Sequence, residues 1–196
     1  MYCRYIFCSA KTKNNFKKKI KIYKERDENR RAEFIEKTHK ISRSKLIFVD
    51  ETGFDSYLYR ERARALRGLK IKGFISGKRY KRTSIVAGKC NKKILAPMQY
   101  SGTMDCELFE YWMKNMLLKN VETGSVIVMD NAAFHRKKEL EMLAKQSSCK
   151  ILFLPPYSPD LNPIEQFWSW LKRKLRESLH KFDSLDAALL DCFQLI

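Results

Sequence analysis

Two short stretches constrain the fold more than anything else in the chain. Residues 46–49 (Leu46-Ile47-Phe48-Val49) and 126–129 (Val126-Ile127-Val128-Met129) are each four apolar residues in a row, and each run ends at an aspartate, Asp50 and Asp130. A run that short and without polar alternation leaves no face for water, so it predicts a strand covered on both sides. Residues 151–154 repeat the pattern and stop at Pro155-Pro156, where the missing N–H groups end a ladder. Such strands need helices on both faces of their sheet, and the chain supplies them. Residues 105–119 carry Leu108, Tyr111, Trp112 and Met116 at helical spacing. Residues 137–146 are rich in helix formers, and residues 163–179 and 184–193 predict two more helices. In the first of these, Ile164, Phe167, Trp168, Leu171 and Leu175 form the buried stripe.

The first half of the chain reads differently. Residues 83–88 and 94–100 predict two strands joined by a hairpin over 89–93. Residues 57–65 alternate, with Leu58, Arg60, Arg62 and Arg64 on one side and Tyr57, Tyr59, Ala63 and Ala65 on the other. Residues 15–40 predict a charged helix or helix pair with scattered apolar anchors, among them Phe34 and Ile35. Antiparallel strands followed by alternating strands and helices give an α/β domain with a mixed sheet. Its first strand, apolar throughout, belongs at the centre. The expected division is a basic segment over 1–45 and a folded domain over 46–196.

The charge of the chain points to its partner. Its 196 residues hold 40 Lys and Arg against 22 Asp and Glu, a net charge of +18. Residues 1–45 hold 15 basic and 5 acidic residues, residues 46–100 hold 13 and 4, and the remainder is near neutral. Such an excess fits a polyanion rather than a neutral metabolite, and nucleic acid is the first expectation. The longest charge-free run, residues 94–104, is far short of the roughly 20 apolar residues that span a bilayer. No membrane role is expected. Six cysteines without CxxC or metal spacing predict reduced thiols in a cytoplasmic protein.

Strand ends in α/β sheets are where sites form, which makes Asp50 and Asp130 candidates. Either acid alone reads more readily as a turn residue or a helix cap, but two acids after two buried strands could converge on one edge. Glu51, next to Asp50, alternates to the opposite face, so Asp50 is the preferred acid. Glu165 is the third candidate. Asn162, Pro163 and Glu165 occupy N-cap, N1 and N3 of a predicted helix, the spacing of a capping box, which gives Glu165 a structural role as well. It also lies at the margin of the buried stripe with Ser169 and Lys172. Three converging carboxylates are hard oxygen ligands suited to Mg²⁺ or Mn²⁺. Two such ions, roughly 4 Å apart, would hold a phosphodiester between them.

Three blocks carry a resemblance to a known family. They are Phe48-Val49-Asp50-Glu51-Thr52, the block Val128-Met129-Asp130-Asn131-Ala132-Ala133-Phe134-His135, and residues 154–165 from Leu154 to Glu165. Together they resemble the catalytic blocks of bacterial insertion-sequence DDE transposases of the mariner superfamily, and the 34 residues between Asp130 and Glu165 match that superfamily's spacing. The resemblance runs from about Tyr23 to the C-terminus. It implies a ribonuclease H-like fold in which Asp50, Asp130 and Glu165 are catalytic and bind Mg²⁺ or Mn²⁺. It also implies cleavage at element ends by water, then attack of the freed 3′-hydroxyl on target DNA. The implied partners are DNA and a second copy of the chain, in a bacterial cytoplasm at the nucleoid.

Other residues carry weaker expectations. Arg60, Arg62, Arg64, Asn131, His135 and Lys172 are candidate DNA contacts. A subunit contact or a solvated strand face would also account for the arginines, and packing beside the site accounts equally for Asn131 and His135. Tyr157 reads as a packing or positioning residue. Only 49 residues precede Asp50, which predicts a catalytic domain without the helix-turn-helix region of its relatives. An upstream helix-turn-helix polypeptide is then a possible partner. The alternative is a catalytically idle nucleic-acid-binding remnant.

Overall fold

The computed structural model describes residues 23–55, 70, 72–74, 76–78 and 82–194. Its frame is a five-stranded sheet, β1 (Leu46–Asp55), β2 (Arg82–Cys90), β3 (Lys93–Ser101), β4 (Val126–Met129) and β5 (Lys150–Phe153), in the order β3-β2-β1-β4-β5. β1–β2 and β2–β3 pair antiparallel, while β1–β4 and β4–β5 pair parallel. The apolar strand β1 is central, as its composition requires. β3 is an edge strand, which is where Pro97 can sit without breaking a ladder on both sides.

Helices cover both faces. β1 alternates, so Ile47 and Val49 point to one side, where they pack with Phe109, Trp112, Met113 and Leu117, and with Leu140 and Ala144 of α3 (Lys137–Gln146). The helix expected over 105–119 forms as α2 (Cys106–Trp112) and then widens into a π-helical turn, Met113–Leu117. Asp105 caps it, accepting from the Leu108 N–H at 2.8 Å. On the other face, Phe54 of β1 joins Ile164, Trp168, Leu171 and Leu175 of α4 (Ile164–Ser178) and Ala188 and Leu189 of α5 (Leu185–Gln194). Among the described residues, the expected 15–40 helix reduces to α1 (Glu28–His39). Asp27 supplies its cap, and residues 15–22 lie outside the described part. Phe34 docks α1 against Leu46, Val128 and Leu154, on the α4 side of the sheet.

A buried cation ties α1 to the proline-rich loop. Arg31, 5% exposed, donates from both guanidinium nitrogens to Asp160, at 3.0 and 2.6 Å. This planar fork matches the carboxylate and fixes the orientation of the loop that precedes α4. Part of the basic excess of the first half is therefore structural.

Candidate active site

The parallel register of β1 and β4 decides the geometry of the site. Leu46 pairs with Val126, Ile47 with Ile127 and Phe48 with Val128. Asp50 lies two residues beyond Phe48 and Asp130 two beyond Val128, so the two acids stand level on adjacent parallel strands. β4 ends just before Asp130, but β1 runs on to Asp55 because β2 keeps pairing with it, so Asp50 sits within its strand and not at the strand end its sequence suggests. The Met129 carbonyl accepts from the Leu154 N–H at 2.8 Å, which holds the proline-rich loop alongside. That loop runs through the short 3-10 turn Pro159–Leu161 into α4, whose first turn carries Glu165. Asp50, Asp130 and Glu165 consequently line one cleft of about 400 Å³, together with Asn131, Pro155, Pro156, Tyr157 and Asn162.

Each acid meets a different environment. The buried indole N–H of Trp168 donates to Asp50 Oδ2 at 3.1 Å. Burial, with the charge of Glu165 next and that of Asp130 a smaller contribution, pushes the Asp50 carboxyl up to about 7. Asp130 stays half exposed. Its Oδ1 accepts from the Ala132 N–H at 3.3 Å, and its carbonyl oxygen lies 3.1 Å from His135 Nδ1. Glu165 is exposed at the start of α4. Glu51 turns to the opposite face, as alternation predicts, and accepts from the Tyr100 hydroxyl at 2.8 Å.

The donor chemistry of the cleft fits a divalent cation. All three acids offer hard oxygens, and beside the burial that chiefly raises the Asp50 carboxyl, Glu165 and Asp130 add like charge that a cation would relieve. Among the described residues, no three His, Cys, Asp or Glu side chains are gathered closely enough to hold an ion as they stand. The set is open, with Asp50 held within β1, Asp130 just past the end of β4 and Glu165 on the exposed first turn of a helix.

The remaining expectations divide. Asn131 is exposed and lines the cleft. His135 does not face outward: its side chain is 3% exposed and its ring packs between Phe109 and Phe134 at centroid distances of 4.4 Å. Burial lowers its pKa, so it holds the loop after β4 as a neutral ring and offers no surface to DNA. Lys172 lies along α4 with its Nζ 5.8 Å from the Phe54 ring centroid, and it does not line the cleft. Arg60, Arg62 and Arg64, with the alternating run around them, fall outside the described residues.

The expected capping box does not form. Asn162 has extended backbone angles, but no side chain caps α4, and the Glu165 N–H bonds to the Asn162 carbonyl at 3.1 Å. The 3-10 turn and Pro163 bring the main chain close enough to serve, which leaves Asn162 Oδ1 buried without a hydrogen-bond partner in the cleft wall. Glu165 is thus spared a capping duty. Sequence reasoning also missed Trp168 as more than packing. Its signal was available: a buried indole N–H needs an acceptor, and Trp168 follows Glu165 by three residues on one helix face.

With this geometry in hand, the chain matches the family described as DDE superfamily endonuclease over residues 45–187, more than half its length. It belongs to that family. The DDE domain is similar to Tc1/mariner-like transposases. It is 37% identical to the Tc1 transposase of Caenorhabditis elegans over 68 residues, which are 35% of this chain and 25% of that protein. It is 32% identical to the uncharacterized protein y4pE/y4sA of Sinorhizobium fredii over 56 residues, 28% of this chain and 39% of the other. Among solved structures, the Mos1 transposase paired-end complex with its left transposon end superposes with a TM-score of 0.71 at 14% identity, covering 94% of this chain and 59% of that one. The mariner Mos1 paired-end complex with Mg gives a TM-score of 0.65 at 16% identity, covering 85% of this chain and 52% of that one. These likenesses identify the fold as ribonuclease H-like. The chain spans less than two thirds of each of these four proteins.

Proposed function

We propose that this DDE domain is the catalytic part of a transposase of the bacterial insertion-sequence kind, cutting DNA at element ends and joining the freed 3′ ends to target DNA. The single observation that carries the reading is the in-register placement of Asp50 and Asp130 on parallel strands, with Glu165 brought to the same cleft by α4. In this reading residues 46–196 form the catalytic domain and residues 1–45 a basic segment before it. Asp50, Asp130 and Glu165 would hold two Mg²⁺ or Mn²⁺ ions, which supply Lewis-acid activation of the attacking oxygen and stabilisation of the leaving oxygen. Support for the metal comes from the donor set and from Mos1 complexes solved with Mg and with Mn.

The chain's own residues have defined tasks. Trp168 fixes one oxygen of Asp50 and leaves the other directed by the strand. The Ala132 N–H and the buried His135 ring hold the Asp130 segment. Asn131 and Tyr157, exposed at the rim, are placed to meet sugar and phosphate. Pairing with a second copy on DNA, and with a helix-turn-helix polypeptide that reads the ends, completes the proposal.

The test is nicking of supercoiled DNA by purified protein with Mg²⁺. Asp50→Asn, Asp130→Asn and Glu165→Gln should each abolish nicking while retaining DNA binding. Undiminished nicking in these variants removes the site. Salt-sensitive binding without cleavage under any divalent ion leaves the idle remnant as the correct reading.

A further inference from the structure

The acid cleft does not end at its own walls. Asn131, Leu154, Pro155 and Pro156 also line a second, shallower groove of about 250 Å³ that runs between α1 and the β5–α3 side. Its floor is apolar, formed by Phe34, Leu152 and Phe153. Its margins are cationic: Arg30 and Lys37 from α1 on one side and Lys137 from the start of α3 on the other. None of these three lies in the sequence blocks that mark the acids, and the sequence reading left all of them without a role.

The contacts that now occupy these cations are weak and replaceable. Arg30 is 3.3 Å from Asp27 and Lys37 is 3.7 Å from Glu33, both pairs largely exposed. The Lys137 ammonium lies 5.0 Å from the Phe153 ring centroid, at the groove floor. Glu33 is the groove's one acid and is already engaged with Lys37. An apolar floor between positive margins suits a sugar-phosphate chain, whose phosphates meet the cations while sugars and bases cover the floor. Arg31, between the two α1 cations in sequence, points inward to Asp160, so α1 divides its basic residues between anchoring itself and facing the groove.

The geometry points to the Arg30–Lys37–Lys137 groove as the track along which one DNA strand runs into, or leaves, the acid cleft. This rests on the reading of the cleft as a DNA-cutting site, but the groove's own test needs no catalysis. The groove binds backbone and not sequence, since the side chains that would hold DNA there are flexible cations. Its loss should therefore weaken all DNA alike.

Affinity of the full chain for a fluorescein-labelled single strand and for the matching duplex is measured by anisotropy in EDTA across a salt series. Arg30→Ala, Lys37→Ala and Lys137→Gln should each weaken binding by about threefold to tenfold and lower the salt slope by about one, with the triple variant losing about three. Lys145→Ala and Arg173→Ala, exposed on α3 and α4 outside the groove, should bind like the unaltered chain. Thermal unfolding of each variant guards against a folding defect. Equal losses in the control variants, or losses confined to Arg43→Ala and Lys89→Ala, which line a separate groove with Thr38 and His39 at the end of α1, overturn the proposal. Groove-dependent binding by a chain that never nicks DNA would overturn the proposed activity and leave the track standing.

Discussion

Trp168 donates its indole N–H to Asp50 Oδ2 at 3.1 Å, joining the central strand to the helix that carries Glu165. One turn of α4 separates the two residues, so the helix that presents the third acid also orients the first. A carboxylate facing a cleft is otherwise free to rotate about χ1 and χ2. The indole removes that freedom, and its ring is buried in the core beneath the cleft.

Trp168→Phe keeps most of the ring and deletes the donor. Hydrogen bonds to charged groups contribute roughly 1.5–3 kcal/mol, so the substitution should destabilise the fold by about that much, with a further small cost for lost volume. In a double-mutant cycle with Asp50→Ala, which removes the acceptor, unfolding free energies should show a coupling of about 1 kcal/mol. Strict additivity would mean that the bond does not organise the site.

Asp50 should make the metal-free fold sensitive to pH. Its carboxyl is raised from an ordinary 3.8 to about 7, so the folded state holds the proton more tightly than the unfolded chain. The stability this gives is complete below the unfolded value and disappears as pH rises through about 7. Each unit of separation corresponds to about 1.4 kcal/mol. Asp50→Asn should therefore raise the unfolding temperature in EDTA above about pH 8 and lose most of that advantage near pH 4. Scanning calorimetry of the two proteins at both pH values gives the comparison, and an advantage greater at low pH would contradict the sign. Mg²⁺ should stabilise the unaltered chain more than the variant.

The Arg31–Asp160 fork should be felt at a distance from the acids. Arg31→Leu removes a buried bidentate donor and frees the loop before α4, and should cost about 1–3 kcal/mol in chemical denaturation. The Arg31 guanidinium holds the Asp160 carboxyl below its usual range. This contribution is present at neutral pH and is lost as pH falls through that lowered value, so Asp160→Asn should narrow the difference between neutral and acid stability.

Two glycines on neighbouring strands should respond oppositely to alanine. A Cβ on Gly88 would lie 2.8 Å from Leu117 Cδ1 and 3.2 Å from Ile47 Cγ2, inside the packed core. Gly88→Ala should therefore destabilise by about 1–3 kcal/mol through overpacking. The nearest atoms a Cβ on Gly53 would meet belong to the Arg82 guanidinium, the far end of a flexible side chain that can swing aside. Gly53→Ala should stay within about 0.5 kcal/mol of the unaltered chain.

What the sequence determined by itself was the kind of element at each place. Four apolar residues before Asp50, and again before Asp130, can only be strands covered on both faces, because no alternation leaves a side for water. The stripe from Ile164 to Leu175 can only be a half-buried helix. The in-line order of the elements then limits the sheet to a mixed one with β1 at its centre. The sequence blocks also selected the three acids that share a cleft.

Tertiary structure alone decided how those acids meet and what surrounds them. Asp50 and Asp130 are level because β1 and β4 pair in one register, and a shift by one residue would keep both apolar patterns yet turn one acid to the opposite face. Asn162 has the sequence of a cap, but the turn before it brings its main-chain carbonyl to the Glu165 N–H and sends its side chain into the cleft wall. His135 looks like a contact residue in its block and is instead a packed ring. Arg30 and Arg31 are adjacent and chemically identical, yet Arg31 is buried on Asp160 while Arg30 edges a groove. Local pattern fixes which residues form a strand or a helix. Which face and which partner each side chain meets is set largely by contacts between segments distant in sequence, 129 residues apart for Arg31 and Asp160, and those arise only when the sheet and its helices close on one another.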